Sequence, residues 1–155
     1  MDSKVLNQLA RYCAYQERCI SEIKQKMKDL LVDESDYANY LTWLSENNYL
    51  NEARFVELYV RSKFNQKHWG RNKIMFELKK RGIPESMLSN AWNDLNESDY
   101  IGQLTKILHK KKSEIKSGTS QQKYQKCYAF ALSKGYESNL IVTHLFLFFL
   151  VIALL

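Results

Sequence analysis

Lys67-His68-Trp69-Gly70-Arg71-Asn72-Lys73-Ile74-Met75-Phe76-Glu77-Leu78-Lys79-Lys80-Arg81-Gly82-Ile83-Pro84-Glu85-Ser86 decides the fold. A basic entry punctuated by Gly70 leads into one amphipathic helix, with Ile74, Met75 and Leu78 on its apolar side. Gly82 stops that helix, because glycine takes the left-handed conformation that ends a helix at no steric cost. Ile83-Pro84 then starts another, with proline in a first turn where its missing N–H is not needed. No strand-type alternation interrupts the pattern.

Working backward, the same pattern recurs. A shift of 51 residues needs no gap. Val5 meets Val56, Leu9 meets Val60 and Cys13 meets Phe64. Ile23 meets Ile74, and Met27 meets Leu78. Val32-Asp33-Glu34-Ser35 meets Ile83-Pro84-Glu85-Ser86, Leu44 meets Leu95, and Tyr49-Leu50 meets Tyr100-Ile101. Matched apolar positions over a whole unit identify a tandem repeat. Each unit reads as three helices. The first three cover about Lys4 to Tyr15, a segment opened by Cys19-Ile20-Ser21-Glu22, and one capped by Asp33 or Ser35 and buried through Tyr37, Tyr40, Leu41 and Leu44.

A fainter copy lies forward. Ile107, Leu108 and Ile115 begin it, and Ser117-Gly118-Thr119-Ser120 forms a turn. Tyr124, Cys127, Tyr128, Ala131 and Leu132 mark its middle helix. Lys134-Gly135-Tyr136 matches Arg81-Gly82-Ile83 once two residues are inserted, and a last helix runs from Glu137 to about Phe148. The expectation is an all-α protein of three tandem three-helix repeats in an elongated, curved array. The units are 1–50, 51–101 and an atypical 102–141, followed by an apolar tail, 142–155.

Composition agrees. The chain has 155 residues, with only five Gly and one Pro, too few for a many-turned β architecture. Its formal net charge is +6, compatible with a polyanionic partner. Cys13, Cys19 and Cys127 have no metal-ligand spacing and read as free thiols in a reducing compartment. The start, Met1-Asp2-Ser3-Lys4, lacks a signal-peptide apolar core, so a cytoplasmic location is expected.

These residues resemble the RecX family. Glu52-Ala53-Arg54-Phe55, Trp69-Gly70-Arg71-Asn72-Lys73-Ile74 and Glu77-Leu78-Lys79-Lys80-Arg81-Gly82-Ile83 carry the resemblance in the middle unit. Asn48-Tyr49-Leu50-Asn51 before Arg54-Phe55 is similar to that family's junction, with Asn in place of its Gly and acids. Ser21-Glu22-Ile23 and Lys134-Gly135-Tyr136 resemble its first- and third-unit signatures. The likeness spans about Leu6 to Ile141. It implies a bacterial regulator that binds along the groove of the RecA–DNA filament. Such a regulator mostly restrains ATPase, strand-exchange and coprotease activity.

Charge is segregated. From His68 to Arg81 five basic residues face one acid, and from Gln103 to Lys126 seven face one. From Asp33 to Glu57 six acids face Arg54 alone. The expected filament- or DNA-binding residues are Trp69, Arg71, Lys73, Lys79, Lys80, Arg81, Lys110, Lys111 and Lys112. They would contact phosphates non-specifically or acidic filament surface. The plainer reading is solvated helix faces, with Lys79-Lys80-Arg81 suited to a helix C-terminus. Trp92 reads as core and Trp43 as a packed edge. No phosphate loop, metal cluster or nucleophile motif appears, so no enzyme activity, cofactor or small-molecule substrate is expected. Asp33, Glu34 and Asp36 read as helix-start acids, not metal ligands.

The tail, Leu145 to Leu155, is wholly apolar and departs from the family's amphipathic last helix. An apolar cap on the array, a short membrane anchor and a sequence artefact compete as readings, with the anchor least favoured. Besides the filament regulator, two functions stay open: a general helical nucleic-acid-binding protein without a recombinase partner, and a tail-anchored interaction protein.

Overall fold

The structure, a computed structural model, describes residues 1–93 and 95–150, and only the backbone of Phe148 and Leu150. Nine α-helices and no strands occur among the described residues. The first unit comprises α1 (Ser3–Tyr15), α2 (Ile20–Asp29) and α3 (Tyr37–Glu46). The second comprises α4 (Glu52–Lys67), α5 (Arg71–Lys80) and α6 (Leu88–Asn93). The third comprises α7 (Glu97–Glu114), α8 (Ser120–Ser133) and α9 (Ser138–Leu150). The chain is three three-helix repeats in series.

The repeat extends to the hydrogen bonds that end each middle helix. Leu31, Gly82 and Gly135 all have positive φ, at 57°, 80° and 91°. After each, an amide reaches back to the last turn: Val32 N–H to Met27 C=O, Ile83 N–H to Leu78 C=O, and Tyr136 N–H to Ala131 C=O. That pairing satisfies carbonyls the helix leaves unpaired and turns the chain toward the third helix. The apolar residue after the turn then anchors it: Ile83 and Tyr136 are buried. A short 3-10 turn follows in the first two units, at Glu34–Asp36 and Glu85–Met87. Asp33 caps the first of these, its carboxylate accepting from Ser35 N–H, which accounts for that acid without a metal.

One helix boundary departs from the 51-residue shift. α6 ends at Asn93, whereas the matching α3 runs to Glu46. The cause is local: the Asn96 side chain accepts from Ser98 N–H and caps α7, and Glu97 and Asp99 favour a helix start there. α7 therefore begins earlier in its unit than α1 or α4. In the third unit, Ser117–Thr119 ends in a capping box: Gln122 N–H donates to Thr119, and Thr119 N–H to Gln122.

Burial follows most of the periodic positions. Leu132 is 46% exposed, and Ala131 occupies the core place beside Cys127. Leu31 is 92% exposed, because its left-handed backbone turns the side chain outward, and Leu30 takes the half-buried position. Trp43 is half-buried and stacks on Tyr49, with ring centroids 5.8 Å apart. Trp92 is half-buried against the core, not fully enclosed. The position opposite Trp43 in the shift, Asp94, lies outside the described residues.

Two apolar cores form. The first joins Leu9, Cys13, Ile23, Met27, Tyr40 and Leu44, all within unit one. The second runs unbroken through units two and three, from Phe55, Ile74 and Leu78 to Leu104, Cys127, Ile141 and Leu145. Each fully buried Leu or Ile contributes roughly 1.5–3 kcal/mol relative to exposure. One residue crosses over: Cys19, before α2, is buried in the second core. The three cysteines are free thiols, all buried.

The apolar tail is helix as far as Leu150. Ile141 and Leu145 are buried, and Phe149 meets the edge of Tyr124 at 5.7 Å. Val142, Phe146 and Leu147 face outward. Residues 151–155 lie outside the described residues, as does the Phe148 side chain expected on the buried face. Among the described residues, no helix is long and apolar enough to cross a membrane.

Left-handed backbone costs a non-glycine residue about 1 kcal/mol or more. Leu31 bears that cost, while Gly82 and Gly135 do not. Leu31→Gly is therefore expected to stabilise the protein by about 1 kcal/mol, read as a raised urea midpoint with unchanged m. A lowered midpoint would contradict the assigned backbone.

Candidate polyanion-binding face

The Lys67–Ser86 stretch meets the third unit at its N-terminal end. α4 stops at His68, whose φ is 56°, and Trp69 N–H returns to Lys63 C=O. Gly70 then caps α5 with no side chain. The bare backbone here lies against the end of α8. Gly70 N–H donates to Lys134 C=O at 2.8 Å, and Asn72 N–H to Gly135 C=O at 3.0 Å. A Cβ at Gly70 would collide with the Gly135 carbonyl, and one at Gly135 with Lys73. Only glycine at both places lets two backbones cross so closely.

A half-buried polar cluster around the buried Tyr100 reinforces the crossing. Arg71 N–H donates to the Tyr100 hydroxyl at 2.9 Å, which donates to Glu137 at 2.6 Å. The Arg71 guanidinium pairs with Glu97 and Glu137 and lies 4.1 Å from the Tyr100 ring centroid. Tyr100 in turn packs on Phe64 and Tyr136, with centroids 5.8 and 5.1 Å away. Burial, helped by the Glu137 hydrogen bond, pushes the Tyr100 hydroxyl far above the ordinary tyrosine range, and burial does the same to Tyr136. Burial opposes the charge on Arg71, but Glu97, Tyr100 and Glu137 together outweigh it and the guanidinium pKa is raised. Glu97 is held below the usual carboxylate range by its hydrogen bond from Arg71. Arg71 is thus occupied by carboxylates of its own chain.

Around this joint lies a ladder of lysines and aromatic rings. Lys63 and Lys73 place their Nζ atoms 5.3 and 4.8 Å from the Trp69 ring centroid. Lys73 Nζ also donates to Ser133 C=O, and Lys134 Nζ to Lys67 C=O. Lys134 and Lys111 lie 5.7 and 5.1 Å from the Phe130 centroid. Lys112 sits 4.5 Å from the Phe149 centroid. Rings within about 6 Å attract the ammonium groups and keep their stems extended. A carboxylate approaches the row at Glu114, 3.8 Å from Lys111 and half-exposed. Such a row presents positive charge and apolar ring surface together, which suits a phosphate backbone.

The fold therefore divides the nine expected residues. Trp69, Lys73, Lys111 and Lys112 belong to the ladder, and Lys110 is exposed one position before Lys111 on α7. Lys79, Lys80 and Arg81 lie at the other end of α5, by unit one. Lys79 pairs with Glu85 at 2.8 Å, Lys80 lies 3.9 Å from Glu77, and Arg81 bonds the Glu77 carbonyl and carboxylate. Lys63 and Lys134 join the ladder without having been singled out from sequence, and Lys67 contributes only its carbonyl, which accepts from Lys134. Lys134 was concealed in a turn motif.

The fold and this joint define a class: a tandem three-helix repeat protein with a basic, aromatic-lined face. Comparison narrows it. A family model described as RecX, second three-helix domain, matches residues 51–91. A regulatory protein RecX of Clostridium perfringens strain 13 is 29% identical over 119 residues, covering 75% of this chain and 55% of that protein. One from Prosthecochloris aestuarii is 26% identical over 138 residues, covering 89% of both. The crystal structure of RecX from Lactobacillus salivarius superposes with a TM-score of 0.81 over 92% of both chains, at 23% identity, which establishes the fold. The chain belongs to the RecX family. It spans about half the length of several of the curated relatives it matches.

Tyr100 and Tyr136 have folded-state pKa values raised above the unfolded value near 10. Their contribution to stability is complete below pH 10 and is lost as pH rises above it. Tyrosinate absorbance should therefore show these two hydroxyls ionising only together with alkaline unfolding. In Tyr100→Phe, which leaves Glu137 and the Arg71 amide without their partner, stability should fall by about 1–3 kcal/mol. Normal titration of all ten tyrosines in folded protein would contradict the buried assignment.

Proposed function

We propose that this chain is a non-enzymatic regulator of the RecA recombinase, acting along the groove of the RecA–DNA filament. On this reading it restrains ATPase, strand exchange and coprotease activity, in the cytoplasm and without a cofactor or small-molecule substrate. Family membership supports the partner, and the relatives are named regulatory proteins. The lysine–aromatic ladder at the joint of units two and three carries the reading. It brings Lys63 and Lys73 to Trp69, Lys134 and Lys111 to Phe130, and Lys112 to Phe149, ammonium–ring contacts that support phosphate binding. DNA contact is then to phosphates, without base readout. Three units are proposed for this regulator, 1–50, 51–96 and 97–150, since the boundaries expected at 101 and 141 fall inside α7 and α9.

Within the nine candidates the roles divide. Trp69, Lys73, Lys110, Lys111 and Lys112 face the filament or its DNA. Arg71 maintains the joint that lines them up. Lys79, Lys80 and Arg81, each already beside a carboxylate, contribute less to DNA attraction. A general nucleic-acid-binding protein is the second reading, favoured by the same ladder, since phosphate attraction needs no recombinase.

Stoichiometric protein is expected to lower RecA's DNA-dependent ATPase. An unchanged rate alongside salt-sensitive DNA binding would favour the second reading. Lys110, Lys111 and Lys112 changed together to Ala should weaken binding and reduce the salt slope by about 0.7–0.9 for each phosphate that is no longer neutralised. Lys63→Ala with Lys134→Ala should do the same. Lys79→Ala with Lys80→Ala should leave the slope near wild type, and equal reductions from all three sets would remove the ladder's special place.

A further inference from the structure

The two joints of this array are built differently. At the joint of units two and three, Gly70 and Gly135 allow a backbone crossing with two hydrogen bonds. The residue matching Gly70 in unit one is Cys19, which likewise caps its middle helix. Arg81 and Gly82 match Lys134 and Gly135. A Cβ at this place in the closed joint collides with the facing backbone, and Cys19 carries one. Consistently, none of the backbone hydrogen bonds outside helices among the described residues joins 81–83 to 19–21.

Joint one–two is instead held on one side by side chains. Ile20 N–H donates to Glu52 at 3.0 Å, and Arg54 binds both Glu17 and the Asn48 carbonyl. Cys19 is fully buried in the core of unit two. The other side is a groove of about 430 Å³. Glu17 and Glu22 line it from unit one, Lys63 and Arg81 from unit two, with Tyr59 and the 43%-exposed Leu58 between. These opposite charges do not pair across the groove. Glu22 caps Cys19 N–H, Arg81 folds back on Glu77, and one Glu17 oxygen is buried with no hydrogen-bond partner.

We propose that joint one–two is a charge-latched hinge. Cys19, as the pivot, keeps it from reaching the backbone contact of the other joint, and the groove narrows when Arg81 pairs with Glu22. Closure changes the angle of unit one against a rigid pair formed by units two and three. The inference stands on the two joints and does not depend on the RecA reading. Opposite charges across a solvent-filled groove attract more strongly as salt falls, so low ionic strength favours the closed form. Two discrete packings about a fixed pivot are a known means of domain movement.

Pulsed electron-spin distance measurements on the full chain test this. One pair of labels spans joint one–two, on Lys24→Cys and Lys79→Cys. A second spans joint two–three, on Lys79→Cys and Lys126→Cys. The native cysteines are buried, and labelling is confirmed on the unsubstituted chain. The first distribution should be about twofold wider than the second and should shift to shorter distances as salt is lowered. Glu22→Gln with Arg81→Gln should abolish the salt dependence. Gly70→Ala, which strikes the facing backbone, should widen the second distribution, with the helical circular dichroism spectrum confirming the fold. Equal widths at the two joints, or a first distribution insensitive to salt, would overturn the proposal.

Discussion

The crossing of two bare backbones at Gly70 and Gly135 is the constraint on which the rest depends. Neither glycine is replaceable by a residue with a Cβ, for the added atom meets backbone, which cannot yield as a flexible side-chain end can. Because the chains approach so closely, Gly70 and Asn72 amides reach carbonyls of another unit. Because those amides are fixed, Arg71 is fixed one residue away, and its partners Tyr100 and Glu97 on α7 and Glu137 before α9 draw two more helix ends to the same point. The unbroken core of units two and three is the packing consequence.

The same crossing arranges the charge. Lysines on α4, α5 and α7 and just after α8 are remote in sequence, and repulsion would spread them if each were free. Here Lys73 and Lys134 are tied to carbonyls across the joint, and Trp69, Phe130 and Phe149 supply ring faces. Aromatic surface partly offsets the cost of crowding ammonium groups. A polyanion would offset the remainder, which is the physical ground for the proposed interface.

Unit one shows what happens when one atom pair differs. It has the same three helices, the same left-handed turn after the middle helix and the same 3-10 turn before the third helix as unit two. Yet Cys19 stands where Gly70 stands, and the unit keeps a core of its own. Repeat proteins gain stability from interfaces between neighbours as well as within units. Here the two interfaces are unequal, and the polar contacts of Arg54 replace the backbone bonds of the other joint.

Much of this was legible in the sequence, and for a physical reason. Helix placement depends on local periodicity and caps, so Ile23, Met27, Ile74 and Leu78 identified their own buried faces, and the 51-residue shift exposed the repeat. Where local chemistry competed, the shift failed: Asn96 starts α7 before the matching register would. The candidate site was only partly readable. Trp69, Lys73 and the α7 lysines were visible as a local excess of charge, but charge counts along a chain do not say which carboxylate stands nearby. That Arg71 is enclosed by Glu97 and Glu137, that Lys63 and Lys134 belong with Trp69, and that Lys79 to Arg81 lie at a different joint are facts of distance between units. The sequence by itself determined the helices, their triplet repetition and the overall positive charge, because these follow from neighbours within a few residues. Only the tertiary structure decided which lysines share a face and which joint is closed, because both depend on a backbone crossing between residues 70 and 135, too far apart in the chain for any local pattern to report.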